Sequence, residues 1–120
     1  MWLLIYLGEK ADMKELYQLH IEENNKKLVI FGTGIHAKET FLELLNQGVK
    51  ADYFADQNED LAGLKIYGTP ILKEEDLKEL ECNIIIASRA WEAIEQRLIK
   101  EGKTLIYVDK KRYWKNRVEL

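Results

Sequence analysis

The stretch Lys27-Leu28-Val29-Ile30-Phe31-Gly32-Thr33-Gly34-Ile35-His36-Ala37 decides how this chain folds. Its unbroken apolar run, Leu28 onward, suits a strand buried on both faces, and it leads through two glycines into residues with helical spacing. Each small residue answers a physical need. Gly32 allows a tight turn, Gly34 has no side chain to bar a pyrophosphate from the backbone, and Ala37 lets the helix lie close on the sheet. The N–H groups exposed at the helix start then face an anion. The pattern predicts a strand, a glycine turn and a helix that together receive a phosphate.

Beyond Gly34, the residues Ala37, Phe41, Leu44 and Leu45 are expected to face the sheet, with Lys38, Glu39 and Glu43 toward water and Gly48 as the stop. Residues 51–55 read as a second strand ending at Asp56, followed by the polar run Gln57-Asn58-Glu59-Asp60. Residues 61–72 carry two glycine-marked turns around short apolar pieces, which suits a small edge strand and hairpin. A short acidic helix is expected over 73–80 and a buried strand over 83–87. Ser88 then caps a helix starting near Arg89, with Ala90, Trp91, Ile94 and Leu98 inward and Gly102 at its end. A last strand over 105–108 closes at Asp109.

Upstream, Asp12 and Glu15 make a capping-box signature, and Met13, Leu16, Tyr17, His20 and Asn24 lie along one helical face with Ile21 beside it. Strands alternating with helices predict an α/β fold of three layers, with a parallel sheet of about five strands in the order 3-2-1-4-5 and an N-terminal helix before it. The strand near Pro70 is its weakest member. Residues 1–26 are expected to form an apolar segment and helix packed on a domain of residues 27–120.

At 120 residues, 47% hydrophobic, the chain fits one core and is too short for a complete two-lobed enzyme of this type. The net charge of -3 gives no general reason to bind nucleic acid or an anionic membrane, so any phosphate recognition must be local. A single cysteine, Cys82, has no internal disulfide partner and suits a reducing cytoplasm. The opening Trp2-Leu3-Leu4-Ile5-Tyr6-Leu7 is too short to span a bilayer and lacks the flanks of a secretory signal. It is expected to be a docking strand or a surface for a second copy or a partner enzyme.

Open parallel sheets bind ligands beyond the carboxyl ends of their strands, where the strand order reverses. Four loops should meet there: residues 32–36, 56–58, 87–89 and the chain from Asp109. Asp56 lies 22 residues after Gly34, close to the spacing at which a carboxylate hydrogen-bonds a ribose hydroxyl. The candidate contact residues are Gly32, Thr33, Gly34, Ile35, His36, Asp56, Asn58, Ser88 and Arg89. The expected ligand is a nucleotide-type small molecule, a UDP-sugar or an NAD-type dinucleotide. Arg89 has forked donors suited to phosphate, though a solvent-facing charge is the plainer reading.

No catalytic constellation is complete. Ser88 lacks a Gly-x-Ser-x-Gly setting and reads as a cap. Tyr6 and Lys10 have the Tyr-x-x-x-Lys spacing of a phenol and an amine on one helix face, but they precede the glycine turn and Gly8 weakens a helix there. His20 and His36 are the only histidines and have no metal-ligand companion, so no metal site is expected. The basic cluster at residues 110–117 interleaves Tyr113 and Trp114 with five cations; an anchored terminal turn with solvated charges is favoured there over a nucleic-acid grip. The expectation is a binding module more than a complete enzyme, with an interaction domain or an NAD-binding piece of an oxidoreductase as alternatives.

Phe31-Gly32-Thr33-Gly34-Ile35-His36-Ala37-Lys38, Tyr53-Phe54-Ala55-Asp56-Gln57-Asn58, Leu61-Ala62-Gly63 and Tyr67-Gly68-Thr69-Pro70-Ile71-Leu72 occur in that order. In this the chain resembles the Rossmann-like nucleotide-sugar-binding N-terminal domain of bacterial sugar acetyltransferases. It is similar also to the region that begins polysaccharide-biosynthesis nucleoside-diphosphate-sugar dehydratases. The resemblance implies that Gly32, Gly34 and His36 lie near a diphosphate and Asp56 and Asn58 near a nucleoside. It departs at Ile35 and Ala37, where the family commonly has glycine. The left-handed β-helix that carries acetyl transfer is absent from these 120 residues, so transferase activity is not expected.

Overall fold

The computed structural model describes residues 26–103 and 106–108. At its centre lies β1 (Lys27–Phe31), buried from Leu28 onward. Successive side chains point to opposite faces of a strand. Leu28 and Ile30 therefore enter one core layer, while Val29 and Phe31 enter the other. The strand β5 (Cys82–Ile86) is buried throughout and divides in the same way, Ile85 to the first layer and Ile84 and Ile86 to the second.

Helix α1 (Ile35–Asn46) covers the first layer with Ala37, Phe41 and Leu44, and α2 (Trp91–Lys100) covers the second with Ile94 and Leu98. Two 3-10 turns, Glu59–Leu61 and Glu74–Lys78, complete the crossovers, and Leu77 of the later one joins the second layer. The remaining strands are β2 (Tyr53–Asp56), β3 (Lys65–Ile66), β4 (Thr69–Lys73) and β6 (Ile106–Val108). No helix among the described residues is long and apolar enough to cross a membrane.

Among the described residues the sheet has six strands in the order β3-β4-β2-β1-β5-β6, where five parallel strands were expected. The difference arises at residues 65–66, which pair antiparallel with β4 across a two-residue turn. Tyr67 and Gly68 both have positive φ, 51° and 76°, as the tight turn that matches strand twist requires. Tyr67 holds this conformation with its ring stacked on Phe41 at 5.7 Å, and Phe41 stacks in turn on Phe54 at 5.3 Å. All other pairings are parallel.

Other expectations are corrected locally. The second strand begins at Tyr53, because Asp52 turns its carboxylate back to accept the Leu28 N–H at 2.8 Å. The acidic segment after β4 is a 3-10 turn over Glu74–Lys78, shorter than the helix expected over 73–80. The helix after Ser88 begins at Trp91, with Ala90 as its N-cap, so Ser88 is not the cap. Ala90 is exposed, and Leu45 is 45% exposed; neither faces the sheet. In α1 the inward arc turns toward Thr40, which is fully buried because its hydroxyl donates to the His36 carbonyl at 2.9 Å. The readings made on residues 1–25, the Trp2 segment and N-terminal helix included, lie outside the described residues, as do Asp109 and the basic cluster at 110–117.

The central strands meet most tightly at Gly32. Its N–H donates to the Ala55 carbonyl at 2.8 Å, and the Ala87 N–H donates to the Phe31 carbonyl at 2.9 Å. Gly32 has φ of +127°, and a Cβ placed there would stand 2.5 Å from the Ala87 carbonyl oxygen. Only glycine fits both the conformation and the space.

Two stability outcomes follow from this packing. In urea denaturation, Leu44→Ala should lose about 2–5 kcal/mol and Leu45→Ala no more than about 0.5 kcal/mol, the first leaving a core cavity and the second only trimming surface. Gly32→Ala should destabilise by roughly 1–3 kcal/mol or more, because positive φ and a backbone clash act together.

Candidate functional site

The order of the sheet reverses between β1 and β5: from β1 the chain proceeds outward through β2 and β4, and from β5 outward the other way to β6. Beyond the carboxyl ends of these two strands lies a cleft of about 190 Å³. Gly32, Thr33, Gly34 and His36 line it from the turn after β1, Asp56 from the end of β2, and Ala87, Ser88 and Arg89 from the segment after β5. Three of the four loops expected to converge do meet there; the fourth, from Asp109, is outside the described residues.

Gly34 is the N-cap of α1, with the extended backbone usual for that position (φ -81°, ψ -166°). It offers no side-chain oxygen to the first turn, and no acidic residue stands in that turn. The positive end of the helix dipole therefore opens toward the cleft without an acidic side chain of its own first turn against it. A Cβ at Gly34 would meet nothing within 4 Å. The two glycines thus differ: Gly32 is required by the protein's own backbone, whereas the space beside Gly34 is open.

Asp56 is partly buried, and its carboxylate is held at both oxygens. Thr33 Oγ1 donates to Oδ2 at 2.6 Å, and the Asn58 N–H donates to Oδ1 at 2.9 Å. Parallel register explains the first bond, for Phe31 pairs with Ala55, so Thr33 and Asp56 emerge side by side from adjacent strands. Two sequence-predicted residues do not line the cleft. Ile35 is 67% exposed. Asn58 turns its side-chain oxygen to the Asp60 N–H at 3.1 Å and so caps the following 3-10 turn. Ser88 Oγ accepts from the Ala90 N–H at 3.1 Å, a turn that shapes the third wall. Arg89, beside it, is exposed.

Sequence reasoning missed the brace behind Asp56. Arg97 of α2 donates through Nε and Nη2 to the two carboxylate oxygens of Glu74, at 3.1 and 3.0 Å. With its amide oxygen turned inward, Gln57 also accepts from Arg97 Nη1 at 3.0 Å and from Nη2. The Glu74 hydrogen bond raises the Arg97 pKa above its ordinary value. A bidentate pair joining segments 23 residues apart has no signature in spacing alone. Ala87, the first residue of the loop expected over 87–89, lines the cleft as that loop was expected to.

Away from the cleft, burial pushes the Cys82 thiol pKa above its ordinary value, with Lys103 and Lys26 partly opposing, which leaves it a neutral packing group. Among the described residues no group of three or more histidine, cysteine, aspartate or glutamate side chains could hold a metal ion.

The folded shape is shared with solved structures. A UDP-D-quinovosamine 4-dehydrogenase from Vibrio fischeri is similar with a TM-score of 0.52 and 21% identity, over 69% of this chain and 75% of its own. RSP, a Rex-family repressor, is similar with a TM-score of 0.50 and 20% identity, over 88% of this chain and 57% of its own. At such identities the likeness is one of fold, and the fold is Rossmann-like. No curated protein matches the sequence. The resemblance to acetyltransferases finds no support in these matches. Residues 24–111, well over half of the chain, match the C2185-like, N-terminal family, and the protein belongs to that family.

Proposed function

We propose that this protein binds a nucleotide or nucleotide-sugar through its diphosphate and ribose, as a binding module for surface-polysaccharide metabolism more than as a complete enzyme. One observation carries the reading: the uncapped start of α1 at Gly34 and the carboxylate of Asp56 line the same cleft at the reversal of the strand order. An anion seated at Gly34 takes the N–H groups and dipole of the helix. Asp56 accepts from the ribose, and Arg89 reaches the phosphates from the facing wall. The cleft is smaller than the roughly 300–1,000 Å³ typical of whole small-molecule sites, so base and sugar extend beyond these walls.

The polysaccharide setting is supported by the order of the sequence motifs, and the name of the quinovosamine dehydrogenase makes a UDP-sugar the first probe. Calorimetric titration with UDP-glucose, NAD and CoA is expected to show saturable binding of at least one, and silence from all three would remove the proposal.

The variant Gly34→Asp gives the sharper check. A carboxylate at the N-cap should hold or raise stability by a few tenths of a kcal/mol, by bonding to the first-turn N–H groups. Nucleotide affinity should fall about tenfold or more, because the same groups are then taken and a like charge faces the phosphate. Opposite signs in the melt and the titration are expected; retained affinity in a stable Gly34→Asp protein counts against the anion site.

A further inference from the structure

Asp56 is a more selective group than an acidic side chain at a strand end need be. A carboxylate offers about four acceptor positions, two on each oxygen. Among the described residues Thr33 Oγ1 takes one on Oδ2 and the Asn58 N–H takes one on Oδ1. One acceptor position is left on each oxygen, and the group is fixed from both sides. Its complement is a pair of adjacent hydroxyl donors. A ribose with free 2′ and 3′ hydroxyls supplies such a pair. A phosphate ester at either hydroxyl replaces a donor with an anion set against the carboxylate.

The hydroxyl of Thr33 decides how firmly that geometry holds. Thr33 stands in the phosphate-binding turn between Gly32 and Gly34, and its bond to Asp56 spans 23 residues of sequence at 2.6 Å. That length is in the range of a charge-assisted O–H to carboxylate bond, which is roughly twice as strong as a neutral one. The Asn58 N–H alone leaves Oδ2 without a partner among the described residues. The side chain could then rotate about its terminal torsion, which is broad and lacks sharp minima.

A carboxylate at this strand end commonly reads ribose hydroxyls in folds of this kind. We propose that here Thr33 is a positioning residue whose hydroxyl fixes the Asp56 carboxylate, so that the preference for a free 2′,3′ diol over a deoxygenated or phosphorylated ribose depends on it. This deepens, and rests on, the nucleotide-binding reading given above. Within that class it separates UDP-sugars and NAD from CoA and NADP, whose riboses carry an added phosphate.

The test compares ratios, which a general loss of folding does not move. Affinities of UDP against 2′-deoxy-UDP, of ADP against 2′-deoxy-ADP and of NAD against NADP are measured for the wild type, Thr33→Val and Thr33→Ser, with a thermal melt of each. The wild type is expected to prefer the free diol in whichever pair it binds, by about tenfold, the loss typical for a hydrogen bond to a charged group. Thr33→Val should bring that ratio toward one, and Thr33→Ser, which keeps the hydroxyl, should restore it. Wild-type binding with no preference within a pair overturns this proposal and leaves the nucleotide reading standing. So does a Thr33→Val protein that keeps the full ratio, or one that weakens both members of a pair alike without rescue by serine. Wild-type silence toward all six ligands and toward UDP-glucose and CoA removes the nucleotide reading itself, and the role of Thr33 with it; binding of CoA alone overturns the role of Thr33.

Discussion

The contact between Gly32 and the Ala87 carbonyl is the constraint on which the rest of this structure depends. Parallel strands lie about 4.8 Å apart, and where two of them end together their following segments compete for the same space. Here the chain leaving β1 passes so close to the chain leaving β5 that a methyl group at residue 32 would stand 2.5 Å from a backbone oxygen. The Gly32 N–H is bonded meanwhile to the Ala55 carbonyl on the other side. Three strand ends are thereby held at one point, and the turn that follows can swing only outward into α1. The cleft is the space left above that junction.

Its electrostatics are built locally, against a chain of net charge -3. The start of α1 supplies partial positive charge from the backbone, which costs no burial of a cation. Arg89 adds a full charge at the exposed rim, where it keeps its hydration. Opposite them the carboxylate of Asp56 stays partly buried because two donors compensate it. Positive and negative features lie along one cleft, an arrangement matched to a molecule with an anionic part and a hydroxyl-bearing part.

The brace formed by Arg97, Glu74 and Gln57 ties this end of the sheet to the second helical layer. Arg97 projects from α2, Glu74 from the turn after β4 and Gln57 from the residue after Asp56. The pair is only partly buried and still screened by solvent, so its consequence lies less in global stability than in position. It limits the freedom of the loop that carries Asp56. The hairpin of β3 and β4 extends the sheet on the far side of β2, with Tyr67 packed on Phe41 over the first core layer.

By itself the sequence determined those features that rest on local chemistry. The apolar run before Gly32 could only be a strand buried on both faces, the spacing of Ala37, Phe41 and Leu44 could only cover a sheet, and Asp56 stood at a strand end whatever its partners. The loops that line the cleft were legible for the same reason, since strand ends and glycines mark them. Tertiary structure decided what depends on rotation and register. A helix of 12 residues can turn slightly about its axis without changing its periodicity, and the buried Thr40 exposed Leu45 in this way. Two-residue strands carry too little pattern to announce an antiparallel edge, so residues 65–66 became the sixth strand only by pairing with β4. The bond from Thr33 to Asp56 and the clamp of Arg97 on Glu74 each join residues 23 apart in sequence, and no periodicity spans such a distance. The parallel register of β1 and β2 brings Thr33 to Asp56, and the placement of α2 beside the turn after β4 brings Arg97 to Glu74.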